Sequence, residues 1–237
     1  MEKQPKYKRI LLKLSGEALA RDCDGILNFD FIEKIANVLK KCVGEGVQIA
    51  VIVGAGNIWR GRQGGSMNRV KADNMGMLAT TINSLALEDT FKQAGLKART
   101  MTAIDMKTFA DQYSPREAVE CLEDGEVVIF GCGLGMPFFS TDTAAVLRAA
   151  EIGADAVLMA KNIDGVYSAD PKKDNSAVKY DEITYKEVLD KELHALDLSA
   201  STFCMENDIK VYAFGLKDPE NIYKVVMGEK IGTELHR

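Results

Sequence analysis

Short, almost purely apolar runs punctuate this chain and limit its fold more than any other feature: Ile10 to Leu14, Val47 to Val53, Val127 to Phe130, Ala156 to Met159 and Val211 to Phe214, with a weaker run at Ala98 to Thr102. Runs of this kind suit strands buried on both faces of a parallel sheet. Helical patterns separate them. Asn28 or Asp30 can cap a helix with Phe31, Ile35, Val38, Leu39 and Cys42 on one stripe, and Gly44 and Gly46 end it. Similar segments run from about Asp73 to Ala94, Pro115 to Leu122, Thr141 to Ile152, Thr184 to Lys191, Ser199 to Asn207 and Pro219 to Met227. The alternation predicts an α/β fold: an open, mainly parallel sheet with helices on both faces and ligands beyond the carboxyl ends of the strands. With 237 residues and no repeat or long linker, one continuous domain is expected.

Composition narrows the classes. Hydrophobic residues at 46% and charged residues at 27% exclude disorder and coiled coil. The longest uncharged stretch, Val127 to Thr141, is 15 residues broken by glycines and a proline, so no membrane span is expected. The N-terminus has no apolar signal core, which predicts a cytosolic protein. A net charge of -5 means that a polyanionic ligand must be held by local charge or a metal ion, and it disfavours extended nucleic-acid binding. Five scattered cysteines without a CxxC pair argue against disulfides or a zinc knuckle. Of two histidines, His194 falls on an amphipathic stretch and His236 is penultimate, leaving little for histidine chemistry.

Three runs end in glycine turns: LLKLSGE (11 to 17), VIVGAGN (51 to 57) and VIFGCGLGMPFFSTDTA (128 to 144). Glycine there lets backbone N–H groups approach a phosphate, and a helix N-terminus behind the turn adds a favourable dipole. Neither G-x-x-x-x-G-K-[ST] nor G-x-G-x-x-G occurs, which removes P-loop chemistry and most support for Rossmann hydride transfer. Lys13 interrupts an apolar strand just before its turn, a costly place for a charge without partners. It either snorkels to the strand end or points at a phosphoryl group. Arg60, Arg62, Arg69 and Lys71 follow the second turn with no acidic residue among them, as a solvated basic loop or an anion site. Ser140 or Thr141 can cap the next helix, hold a phosphate, or do both. Asp142 in its first turn suits the dipole and could also orient Lys13 or bind Mg²⁺. Tyr167, in the turn-rich segment 162–171, could cover a nucleotide base. Met75, Met77, Leu78, Ile82, Leu85 and Phe91 form an apolar set for which core burial is expected over a subunit contact, and Trp59 could serve either purpose.

Together these residues resemble the bacterial UMP kinases (uridylate kinases) of the amino acid kinase superfamily. The likeness spans nearly the whole chain and rests on YKRILLKLSGEAL (7 to 19), VGAGNIWRG (53 to 61), MNRVKADNMGMLAT (67 to 80), PFFSTDTAA (137 to 145), DGVYSADP (164 to 171) and VVMGEKIGT (225 to 233). It implies a three-layer sandwich with an acceptor lobe mainly N-terminal and an ATP lobe mainly C-terminal. The implied reaction is transfer of the γ-phosphoryl of ATP to UMP with Mg²⁺. By resemblance, Lys13, Leu14, Ser15 and Gly16 meet the ATP phosphates, as do Gly56 and Arg60, with Arg60 lying between donor and acceptor phosphates. Asn162, Tyr167 and Asp170 surround the adenosine, and Asp142 organises Lys13 and the transferred group. Asp73 binds the UMP ribose. Ala55 and the loop Leu134, Gly135, Met136, Pro137, Phe138, Phe139, Ser140 and Thr141 hold uridine and its phosphate. Relatives form hexamers, are inhibited by UTP and are activated by GTP through a part aligned with 21–26. The family usually has Gly where Ala55 stands, and Thr and Asn where Leu134 and Met136 stand. The alternatives are another amino acid kinase, acting on a carboxylate or a different phosphate, and a nucleotide-binding regulator without turnover.

Overall fold

The computed structural model describes residues 4–60, 64–171, 173–193 and 195–237; Arg62 and His194 lie outside the described residues. Strand β1 (Arg9–Leu14) runs into a short α1 (Gly16–Leu19), followed by α2 (Phe29–Gly44), β2 (Gln48–Val53) and the long α3 (Arg69–Gln93). Then come β3 (Ala98–Thr102), the two-residue β4 (Asp111–Gln112), α4 (Pro115–Glu123), β5 (Val127–Gly131), α5 (Thr141–Glu151) and β6 (Ala156–Lys161). A small hairpin of β7 (Val166–Tyr167) and β8 (Lys179–Tyr180) precedes β9 (Glu182–Thr184), α6 (Tyr185–Asp190) and α7 (Leu198–Asn207), and β10 (Val211–Gly215), α8 (Glu220–Val226) and β11 (Thr233–His236) complete the order.

Among the described residues, nine strands form one sheet in the order β4-β3-β5-β2-β1-β6-β10-β11-β9, parallel except for the β10–β11 pairing. All six expected strands are present. The additional ones are short and lack apolar runs, which is why periodicity gave no sign of them. Strand β1 lies between β2 and β6, with Lys13 opposite Ile52 on one side and Met159 on the other. The chain leaves β1 toward one half of the sheet and returns through β6 to begin the other, a topological switch of the kind that opens a crevice above the strand ends.

Alternation along the strands splits the core in two. Ile10, Leu12 and Leu14 join α2 and α8 on one face. Leu11 joins α4, α5 and α7 on the other. Lys13 shares the face of Leu11, two residues away, so its side chain leaves the sheet on the side of α5. The Asn28 side chain caps α2, accepting from Phe31 N at 3.0 Å, and Asp30 lies inside the first turn.

The expectation for α3 is corrected. Phe91 is fully buried, but Met75, Leu78 and Ile82 are 39%, 53% and 48% exposed, while Thr80, Thr81, Asn83 and Ser84 are buried. The inward face of this helix packs on loop ends, whose backbone groups need hydrogen-bonding partners, so polar residues are required there. Asn68 caps it, accepting from Val70 N at 3.0 Å, so the helix starts four residues before Asp73. No helix among the described residues is long and apolar enough to cross a membrane.

Candidate active site

The glycine turns after β1 and β2 meet closely. A Cβ on Gly16 would stand 2.4 Å from the Gly54 carbonyl oxygen, 2.6 Å from Asn57 Oδ1 and 2.8 Å from Gly56 N, so only glycine allows this approach. Around the junction lies a cavity of about 290 Å³ lined by Lys13, Ser15, Gly16, Glu17, Gly54, Ala55, Gly56, Arg60, Ser140, Thr141, Asp142 and Asp197. Its wall combines glycine backbone, the two cations Lys13 and Arg60 and the N-terminus of α5, a donor set suited to phosphate oxygens.

Lys13 Nζ lies 3.0 Å from Asp142 Oδ1, with the two side chains 13% and 19% exposed. The strand-interrupting lysine therefore does not snorkel to solvent. Burial opposes the charge on Asp142 most strongly, yet the Lys13 and Lys161 ammonium groups together hold its carboxyl below the ordinary value. Lys161, at the end of β6, was missed in the sequence. It follows the run Ala156 to Ala160 much as Lys13 interrupts its own, and the same reasoning would have found it. Burial pushes its ammonium below the ordinary lysine value, with Asp142 and Asp197 acting in the opposite sense. Its Nζ donates to the Ala195 carbonyl.

The sign of the Asp142 shift gives a pH prediction. A carboxyl that ionises below its unfolded value contributes stability that is complete above that value and lost as pH falls through the folded one. An aspartate carboxyl ordinarily ionises at 3.8, so Asp142→Asn should lower Tm at pH 7 and lose this effect as the pH drops below that value. Thermal melts of both proteins between pH 7 and 3 check it; a Tm gap that widens on acidification contradicts it.

A second residue the sequence did not reveal is Asp197. It caps α7, accepting from Ala200 N at 2.8 Å, and receives the Thr143 hydroxyl at 3.1 Å. It also accepts from Ser140, whose Oγ caps α5 through Asp142 N at 3.0 Å and Thr143 N at 3.2 Å. Thr141 is the first residue of the helix and not its cap. Beyond this point two further cavities open. One of about 260 Å³ is lined by Ala55, Trp59, Asp73, Met77, Thr80, Cys132, Leu134, Met136 and Phe139 among others. The other, of about 620 Å³, includes Arg69, Asp73, Phe138, Phe139, Thr143 and Leu198. Arg60 and Ser140 line all three cavities.

Asp73 accepts both oxygens' bonds from Arg69 Nε, at 2.9 and 2.8 Å, and takes a third from Phe138 N at 2.8 Å. Arg60 is paired with Glu17. The Trp59 indole donates to the Ala72 carbonyl at 2.8 Å, so it packs within the chain. Asn162, Tyr167 and Asp170 come together in a separate cavity of about 580 Å³ that Lys161 also lines. Leu14 is buried in the core, and Leu14, Gly135 and Pro137 line none of these four cavities. Nearly all the other expected site residues thus line these four cavities: three of them share Arg60 and Ser140, with Lys13 and Asp142 in the first, and Lys161 lines the separate one.

Solved structures carry the same architecture. UMP kinase from Bacillus anthracis is 36% identical, with a TM-score of 0.93 over 97% of this chain and 96% of that one. UMP kinase from Ureaplasma parvum is 35% identical, with a TM-score of 0.92 over 100% of both chains. Uridylate kinase from Archaeoglobus fulgidus is 30% identical, with a TM-score of 0.72 over 95% of this chain and 99% of that one. The sequence profile of the amino acid kinase family matches residues 8–215, across all three glycine turns, Lys13, Asp142 and Lys161, and the chain belongs to that family.

Proposed function

We propose that this protein is a UMP kinase, transferring the γ-phosphoryl group of ATP to UMP to give UDP and ADP. The observation that carries the reading is the placement of Lys13, Asp142 and Lys161 between two cavities of nucleotide dimensions, on a chain 36% identical to a UMP kinase over almost its whole length. The larger cavity, with Asn162, Tyr167 and Asp170, takes the adenosine of the donor. The cavity with Asp73, Leu134 and Met136 takes the acceptor nucleoside.

The chemistry needs little beyond placement. A phosphate monoester has a second pKa near 6, so the attacking oxygen is largely ionised at neutral pH and requires no base. Lys13 and Lys161 neutralise charge on the transferred group, and Asp142 keeps Lys13 directed at it. Arg60 releases Glu17 and spans the donor and acceptor phosphates. The glycine turns present backbone N–H groups without a Cβ in the way. Mg²⁺ would supply further neutralisation of phosphate charge and would fit as an ion carried in by the nucleotide: among the described residues no group of three His, Cys, Asp or Glu side chains converges on one point, and Asp142 is paired with Lys13. Regulation by UTP and GTP and assembly into hexamers belong to the same reading, and the exposed apolar face of α3 supports assembly.

Release of ADP with UMP, CMP, aspartate, glutamate and carbamate as acceptors tests the assignment; turnover with a carboxylate but not with UMP overturns it. The acceptor cavity also predicts modest base selectivity. Leu134 and Met136 offer no hydrogen bond, the Trp59 N–H is committed to Ala72, and the Thr80 hydroxyl is committed to Met77 and Cys132. With these side chains offering nothing that a wrong base would leave unpaired, selectivity falls to Thr141 and the loop backbone and is expected to be weak, by about 10² or less in kcat/KM. Leu134→Thr combined with Met136→Asn should widen the UMP to CMP ratio by about tenfold on the same principle. The ratio of kcat/KM values for the two nucleotides reads it directly, and a ratio far above that limit in the unmodified protein refutes this account of the cavity.

A further inference from the structure

Asn83 is a fully buried polar residue in the middle of α3 and lines none of the four cavities. Its Nδ2 donates to the Gly54 carbonyl at 2.8 Å and to Asn57 Oδ1 at 2.8 Å, and its Oδ1 accepts from Asn57 Nδ2 at 2.9 Å. Two of these partners, the Gly54 carbonyl and Asn57 Oδ1, are the groups that stand against Gly16 at 2.4 and 2.6 Å from a would-be Cβ. One side-chain amide therefore fixes the turn after β2, and through it the turn after β1.

The same face of α3 holds the third turn. Thr80 Oγ1 accepts from Cys132 N at 3.0 Å, and Asp73 accepts from Phe138 N at 2.8 Å. From Asp73 to Asn83 is ten residues, about 15 Å of helix. The helix thus spans the distance between the acceptor loop and the two phosphate-facing turns, and Asn83 anchors the phosphate end.

We infer that Asn83 is a positioning residue for phosphoryl transfer: by pairing with Asn57 and Gly54 it sets the register of the two glycine turns against each other, and so governs kcat without touching either nucleotide. The kinetic part rests on the phosphoryl transfer to UMP proposed above. Near-attack geometry is sensitive to displacement, and an error of about 1 Å can cost 10²-fold in rate. Asn83→Asp keeps shape but turns both donors into acceptors facing a carbonyl oxygen and an amide oxygen. It should lower kcat by about 10- to 10²-fold and leave KM for UMP within about threefold.

Asn57→Ala reaches the same link from a less buried side chain and keeps the question answerable if Asn83→Asp folds poorly. The double variant should lose little more than the worse single one, because both cut the same connection. Deuterium exchange supplies a readout that needs no turnover. The Gly54 N–H, bonded to the Leu14 carbonyl at 3.0 Å, should exchange faster in both variants while the β5 amides are unchanged. Wild-type kcat in either single variant, losses that multiply in the double variant, or unaltered exchange at Gly54 would each overturn the inference. A wild-type protein that fails to phosphorylate UMP would instead remove the proposed reaction and leave the exchange result to decide the structural link.

Discussion

Lys13→Met is expected to lower kcat by about 10² to 10³-fold at saturating UMP and ATP, the size of effect that follows loss of one preorganised donor. The substitution keeps the length of the side chain and its apolar stem, so packing on the Leu11 face of the sheet is preserved. What disappears is the ammonium 3.0 Å from Asp142. That loss acts twice. Charge developing on the transferred group meets one cation fewer, and the Asp142 carboxylate, deprived of its nearest partner, becomes a repulsive neighbour to the incoming phosphates. Lys161 remains but stays tied to the Ala195 carbonyl, on the donor side. Steady-state kinetics with both substrates varied distinguish the two contributions: a kcat loss with little change in KM marks the transition-state part. Turnover near that of the unmodified protein would remove Lys13 from the mechanism.

Gly16→Ala should be nearly as damaging, through geometry alone. The added methyl would sit 2.4 Å from a backbone oxygen and 2.8 Å from a backbone nitrogen, and neither can rotate away. Either the turn after β1 or the turn after β2 must move by about an ångström, which puts the expected loss in kcat near 10²-fold or more. Overpacking of this sort also costs about 1–3 kcal/mol of stability. Thermal melts and turnover measured on the same preparation test both parts. An alanine variant with unchanged kcat would mean that the two turns are not held in contact during the reaction.

The parallel sheet was legible because its strands are buried on both faces, so each appears as an apolar run with nothing to confuse it. Lys13 and Asp142 were legible because a charge in such a strand and a carboxylate in a helix's first turn each require a partner, and the fold supplies one for the other. Other elements gave no such sign. Strands β4, β7, β8, β9 and β11 are two to four residues long and carry polar side chains, so no period develops. Helix α3 misleads because Met75, Leu78 and Ile82 face outward while Thr80, Thr81 and Asn83 face in, serving loop backbone that no local pattern encodes. Asp197 reads as an ordinary helix cap until α5 and α7 are seen side by side. Asn83 looks like a poor helix former in an aliphatic stretch until the glycine turns lie against it.

The double duty of Asp197 has a practical bearing on attempts to retune this enzyme. Because one carboxylate ties down the leading ends of two helices, any replacement there loosens a wall of the cavity that holds Lys13 and a wall of the neighbouring cavity of about 620 Å³ in a single stroke. Directed-evolution libraries that seek a new acceptor should therefore keep position 197 fixed and vary Leu134, Met136 and Phe139, whose side chains border the cleft without bracing the catalytic frame.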